Sequence, residues 1–149
     1  MCGITGYFNL KRDEGIDIMR AQVTRMNNSI THRGPDSSDI WVDSETGVAF
    51  GHRRLAIIDL SPAGAQPMHS ADGRFVITYN GEVFNYRELA TELRASGHKL
   101  TGDGDTAAML AGISAWGLPA LLQKIDGQFA FALWDRQERT LTLVRDRSG

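Results

Sequence analysis

Cys2 is the only cysteine in the 149 residues and stands directly behind Met1. A lone thiol is often a small buried hydrophobe. Removal of Met1 would instead place a thiol and a free α-amine on one residue. A thiol titrates near pKa ~8.5 and needs a base at neutral pH; a lysine ammonium, at about 10.4, holds its proton too tightly. An α-amine, at roughly 7.7–8.0, is matched to take the thiol proton. An exposed Cys2 would then be nucleophile and base together, suited to attack an amide or ester carbon. Such a reaction also needs donors for the developing oxyanion and groups that hold the charged parts of a substrate.

Asn80-Gly81-Glu82 follows the strand-like run Phe75-Val76-Ile77-Thr78-Tyr79 and can supply those donors, through the asparagine amide and the glycine N–H. The competing reading is an ordinary turn, since Asn-Gly is a common turn pair. Arg54 could clamp a carboxylate with its two-pronged guanidinium, or simply face solvent. Asp105, at a helix start, is most cheaply an N-cap. Met19, Met26, Phe129 and Phe131 need no explanation beyond a core. His52, His69 and His98 have no metal-ligand spacing with acidic partners, so no metal site is expected.

Sixteen Lys and Arg residues against 18 Asp and Glu give a formal net charge of -2, with the cations dispersed. That argues against a nucleic-acid or anionic-membrane surface. No apolar run is long enough to span a membrane, and no secretory leader is evident. One cysteine allows no internal disulfide, which fits a cytoplasmic setting. Asn27-Asn28-Ser29 matches a glycosylation sequon and reads as accidental there. The length suits one domain.

The elements that must position these residues can be read from periodicity. Gly3 to Phe8 reads as a strand, and Ile16, Met19, Val23, Met26 and Ile30 predict an amphipathic helix over roughly residues 15–30. His32 to Asp36 breaks it. Val48 to Gly51 and Leu55 to Ile58 read as strands covered on both faces, and Asp59 to Met68 as a loop. Asn85 with Glu88 predicts a capping box opening a helix that Gly97 closes. A helix from Asp105 or Thr106 to Trp116, a shorter one over Leu118 to Ile125, and a hairpin of Gln128–Trp134 with Thr140–Val144 complete the chain. Strands, then helices, then strands imply a mixed α+β domain with antiparallel sheet.

Taken in order, Cys2-Gly3-Ile4-x-Gly6, His32-Arg33-Gly34-Pro35-Asp36, Gly51-His52-Arg53-Arg54-Leu55-Ala56-Ile57, Gly64-Ala65-Gln66-Pro67, Tyr79-Asn80-Gly81-Glu82-Val83-Phe84-Asn85 and Arg145-Asp146-Arg147-x-Gly149 resemble the glutaminase domain of class II glutamine amidotransferases. The resemblance is closest to the N-terminal domain of the glutamine-hydrolysing asparagine synthetases and covers essentially residues 1–149. It implies an N-terminal nucleophile hydrolase fold, a four-layer αββα sandwich, here C-terminally truncated. It implies that Cys2 attacks the carboxamide of glutamine, with Asn80 and Gly81 as oxyanion donors. Arg54, rather than its neighbour Arg53, matches the arginine that binds the substrate α-carboxylate. Glu82 and Asp105 match the acids that receive the α-ammonium, and Leu55, Ile57 and Ile58 match the segment lining the pocket. His32 falls in a loop that shapes the pocket, so no Cys-His dyad is expected.

The chain departs from the family pattern in three places. Ala107 stands where a glutamate is common, Phe84 replaces a tyrosine, and the family continues beyond Gly149 with more sheet. Residues 1–149 leave no room for the synthetase domain, which would use ATP and Mg to activate a carboxylate and accept the ammonia, so no cofactor is expected in this domain. Glutamine is the expected ligand, and a synthetase domain in cis or trans the expected partner. A truncated sheet edge would expose unpaired backbone and makes a homo-oligomer a candidate state. Retained Met1 would tie up the amine of Cys2. An inactive glutamine-binding or regulatory module, or a glutaminase serving amidation of a sugar acid in polysaccharide biosynthesis, are the alternatives.

Overall fold

In the computed structural model, which describes residues 2–55 and 64–148, the strands sort into two antiparallel sheets. The first contains β1 (Gly3–Phe8), β2 (Ser37–Asp43) and β3 (Val48–Arg54) in the order β1-β3-β2. Val48 to His52 are all buried, because helix α1 (Ile16–Ser29) covers one face of β3 and the second sheet covers the other. The second sheet contains β4 (Met68–His69), β5 (Phe75–Val83), β6 (Gly127–Asp135) and β7 (Thr140–Arg145), in that order. Helices α2 (Tyr86–Ala95), α3 (Asp105–Trp116) and α4 (Leu118–Lys124) form the layer on its outer side. The stack is therefore helix, sheet, sheet, helices: the αββα sandwich.

Side-chain alternation along β5 separates the two interiors. Phe75, Ile77, Tyr79 and Val83 join Leu89, Met109, Leu110 and Leu121 under the helices. Val76 points the other way, into the space between the sheets, with Val48, Phe50 and Trp134. Trp134 is wholly buried and meets Phe8 edge-on, with ring centroids 5.6 Å apart. Each large apolar side chain buried in this way contributes about 1.5–3 kcal/mol before entropy is counted. α3 is apolar around its circumference, as a helix sandwiched among α2, α4 and β5 must be.

Several local expectations need correction. The inward stripe of α1 is Met19, Val23 and Asn27, one residue per turn, while Ile16 and Met26 are substantially exposed. Asn27 belongs inside because its amide nitrogen donates to Ser38 Oγ (3.0 Å), His52 O (3.2 Å) and Asp39 O (3.3 Å). A sequon asparagine so enclosed offers no amide to a glycosylating enzyme once folded.

The capping box of α2 does not form. Asn85 is the N-cap residue, but its side chain accepts from Asp126 N (3.0 Å) and donates to Lys124 O (2.8 Å), stitching α2 to the end of α4. Gly97 closes α2 as expected, at φ +82°, with His98 N bonded to Leu93 O and Gly97 N to Arg94 O. Gly104, not Asp105, caps α3.

Residues 37–43, which the apolar pattern leaves unassigned, form β2 beside β3. The covered strand at 48–51 extends to Arg54, and Leu55 lies beyond it. The remainder of the strand expected at Leu55–Ile58, and most of the loop after it, lie outside the described residues.

Candidate active site

Cys2 immediately precedes β1, and the pairing of Gly3 with Arg53 brings it against the end of β3. There one residue holds the sulfur from both sides: Leu55 N–H donates to Sγ at 3.4 Å, and the thiol donates to Leu55 O at 3.6 Å. The thiol is half-buried. Alternation along β3 then sorts the two arginines. Arg53 turns toward α1, where Nε donates to Asn27 O (2.9 Å) and the guanidinium meets the Asn28 amide oxygen. His52 and Arg54 take the opposite face, toward the second sheet. Arg54 also anchors the preceding loop, its carbonyl accepting from Asp36 N at 3.0 Å.

Opposite them, Asn80-Gly81-Glu82 is not a turn. The three residues continue β5 and pair with Ala130, Phe129 and Gln128 of β6. This corrects the expectation that the strand ends at Asn80, and it changes what the glycine does. Each residue of an antiparallel strand directs its N–H and C=O to one side, and successive residues alternate. Phe129 uses both groups on Asp146, toward β7, so Gly81 opposite it faces away from β6.

Among the described residues no strand continues along that outer edge of β5, since β4 starts at Met68, opposite Ile77. Side chains bond to it. Tyr79 N donates to Gln66 Oε1 at 2.7 Å, His52 Nε2 lies 3.1 Å from Tyr79 O, and Val83 N donates to Asp105 Oδ2 at 3.2 Å. Gly81 N–H points out between these two satisfied donors. Only glycine fits at this position, because a Cβ would lie 2.3 Å from Gln128 O and 2.6 Å from Phe129 Cα.

Asp105 opens α3 and is buried. Oδ2 accepts the Tyr79 hydroxyl at 2.7 Å as well as Val83 N–H, and Oδ1 accepts Thr106 N–H at 2.8 Å. A helix N-terminus further favours its negative charge. The Tyr79 phenol is raised well above the usual range, first by burial, then by the negative charge of Asp105, with Glu82 and Cys2 adding to it. One hydroxyl thus feels three of the candidate site residues. His52 is lowered to about 4 by burial, opposed by its bond to Tyr79 O and reinforced by the charge of Arg54, so it is neutral at pH 7.

The structure therefore sets Cys2, Leu55 and Arg54 at the ends of β1 and β3, facing a β5 that carries Asn80, Gly81 and the exposed Glu82, with Asp105 at its edge. Ile57 and Ile58 lie outside the described residues. Gln66, Tyr79 and His52 are the residues to which sequence reasoning gave no part. Each lies in one of the quoted motifs, but their connections run between chain segments that spacing does not relate. Ala107 is buried in the core under the helices, and Phe84 is 56% exposed, so its missing hydroxyl leaves no buried vacancy. A separate crevice of about 280 Å³, lined in part by Asp72, Lys99, Thr101, Leu110 and Ser114, includes none of the candidate site residues. Among the described residues no helix is long and apolar enough to cross a membrane.

A family profile described as "Glutamine amidotransferase domain" matches residues 1–149. The chain is 38% identical over 152 residues to asparagine synthetase (glutamine-hydrolyzing) 3 of Bacillus subtilis, covering 100% of this chain and 24% of that protein. It is 41% identical over 161 residues to a putative asparagine synthetase (glutamine-hydrolyzing) of Mycobacterium tuberculosis, again covering 100% and 24%. It thus spans about a quarter of the length of these curated relatives. Among solved structures, a glutamine phosphoribosylpyrophosphate amidotransferase from B. subtilis superposes with a TM-score of 0.70 at 19% identity, over 97% of this chain and 36% of that one. At that identity the likeness is one of fold.

Proposed function

The chain belongs to the glutamine amidotransferase domain family, and from that premise we propose that it hydrolyses glutamine to glutamate and ammonia through Cys2, once removal of Met1 has freed the α-amine. The amine takes the thiol proton as sulfur attacks the side-chain carboxamide carbon, forming a C–S bond and a tetrahedral oxyanion. Asn80 and the outward N–H of Gly81 donate to that oxygen. Collapse breaks the C–N bond, the nitrogen leaves as ammonia with the proton returned from the amine, and a thioester remains. Water then adds to the thioester, giving glutamate and the free thiol.

Arg54 binds the α-carboxylate of glutamine, and Glu82 and Asp105 face its α-ammonium. Leu55 holds the sulfur. No cofactor takes part in this half-reaction. The ammonia passes to a synthetase domain that makes an amide, with asparagine as the first product to test, because the relatives that cover the whole chain carry that name.

The observation that carries the reading is a thiol gripped by Leu55, together with a glycine N–H directed off the side of β5 away from β6. The test is ammonia release from glutamine by the purified chain, with its intact mass recorded. Turnover with Met1 absent, abolished in Cys2→Ala, supports the reading. Equal turnover in Cys2→Ala, or none in a chain that begins at Cys2, refutes it.

A further inference from the structure

Tyr79 is bonded at every polar atom it has, each time to a different part of the fold. Its N–H goes to Gln66 in the segment before β4, its carbonyl to His52 in the other sheet, and its hydroxyl to Asp105 at the start of α3. The first two bonds use backbone groups and would serve any residue at this position. The third requires a phenol.

Its geometry concerns a carboxylate with about four acceptor sites in all. Tyr79 Oη and Val83 N take Oδ2 at 2.7 and 3.2 Å, and Thr106 N takes Oδ1 at 2.8 Å. With the Thr106 hydroxyl also donating to Oδ1, at 3.5 Å, donors from three residues hold both oxygens. A buried carboxylate so gripped cannot swing to meet a cation; the cation must come to it. The ring that delivers the hydroxyl belongs to the residue immediately before Asn80.

From this we infer that Tyr79 is a positioning residue for substrate selection: its hydroxyl fixes Asp105 in the orientation that receives the α-ammonium of glutamine, and the shared strand ties that orientation to the oxyanion donors at Asn80 and Gly81. The inference rests on the glutaminase reading above and adds to it a residue that touches neither substrate nor reacting atoms. Tyr79 sets the requirement for an α-amino acid, whereas Asn80, Gly81 and Cys2 carry the amide chemistry.

A matched pair of probes separates these roles. The diazoketone analogue of glutamine alkylates a nucleophilic thiol with loss of dinitrogen, and the same diazoketone without its α-ammonium presents an identical reacting end. Intact-mass spectrometry gives the rate at which each labels Cys2 in the whole chain. Tyr79→Phe keeps the ring and removes only the donor. It is expected to slow the ammonium-bearing probe about tenfold or more, the scale of losing a hydrogen bond to a charged group, and to leave the deamino probe within about twofold.

Tyr79→Met, which fills much of the ring's volume with a flexible side chain and also removes the donor, is expected to show the same selective loss and serves if Tyr79→Phe does not fold. Equal slowing with both probes would show that Tyr79 is merely structural and overturn the inference, as would no slowing with either. Failure of the unaltered chain to be labelled at Cys2 by either probe would remove the glutaminase reading first, and this inference with it.

Discussion

His52 of β3 and Tyr79 of β5 are tied across the two sheets by a 3.1 Å bond between an imidazole Nε2 and a backbone oxygen. A carbonyl only accepts, so Nε2 carries the proton and the neutral ring is the Nε2–H tautomer. Burial first, and then the nearby Arg54 charge, lower His52 to about 4 against the opposing pull of the Tyr79 carbonyl. The unfolded chain, with its histidine near 6.5, takes up a proton that the folded chain refuses. Stability from this group is therefore constant above about pH 6.5 and falls as pH drops toward 4, by about 3 kcal/mol in all. Urea midpoints measured at pH 7, 5.5 and 4.5 check this. His52→Gln is expected to flatten the difference between those values, and an unchanged slope in that variant would assign the acid sensitivity elsewhere.

Gly81→Ala tests the close approach of β5 and β6. The added methyl would meet backbone, Gln128 O at 2.3 Å, and backbone cannot rotate out of the way. The strands must part, at a cost of about 1–3 kcal/mol typical of overpacking, and the outward N–H moves with them. The expected result is a folded chain with a lower urea midpoint and at least a hundredfold loss of ammonia release, the scale of losing one oxyanion donor.

Gln66→Leu removes the acceptor that serves Tyr79 N–H while keeping the volume near that of the glutamine. A buried donor left without a partner costs about 1–3 kcal/mol. A thermal or urea melt should show the loss. Gln66→Met, close in shape and also without the amide oxygen, should show a loss of the same size if the hydrogen bond is the cause.

Asn27→Asp changes no shape. It sets a carboxylate oxygen where an amide nitrogen now donates to Ser38 Oγ, Asp39 O and His52 O. Oxygen facing oxygen in a fully buried position should cost about 3 kcal/mol or more at pH 7. The variant is expected to unfold at markedly lower urea concentration, with partial recovery on acidification, where the aspartate can protonate and donate.

The outline of the fold was legible wherever one face of an element is uniformly apolar. β1, α3 and the hairpin of β6 and β7 lie close to where periodicity places them. β2 escaped because its first three residues, Ser37, Ser38 and Asp39, are exposed and show no alternation to read. The inner stripe of α1 was misread for the opposite reason: a buried asparagine looks polar in sequence and becomes acceptable only beside acceptors contributed by β2 and β3.

Asn80-Gly81 illustrates a third limit. A dipeptide favoured in turns can continue a strand when the partner strand demands glycine by proximity, and that demand comes from Gln128, far along the chain. Cys2, Arg54 and Asp105 were visible as residue types with suitable chemistry. The bonds that orient Cys2 and Asp105, from Leu55 and Tyr79, were not, because they join residues 53 and 26 positions apart.

β4 is two residues long. Continuing its register with β5, Met68 opposite Ile77, would set Gln66 opposite Tyr79 and Gly64 opposite Gly81. A longer β4 would thus complete the ladder and cover the glycine N–H with a carbonyl from the chain itself. Sheet completion and chemistry compete for the same hydrogen. A sequence selected only for a more stable second sheet would zip this edge shut, leaving a better-paired protein inhibited by its own backbone.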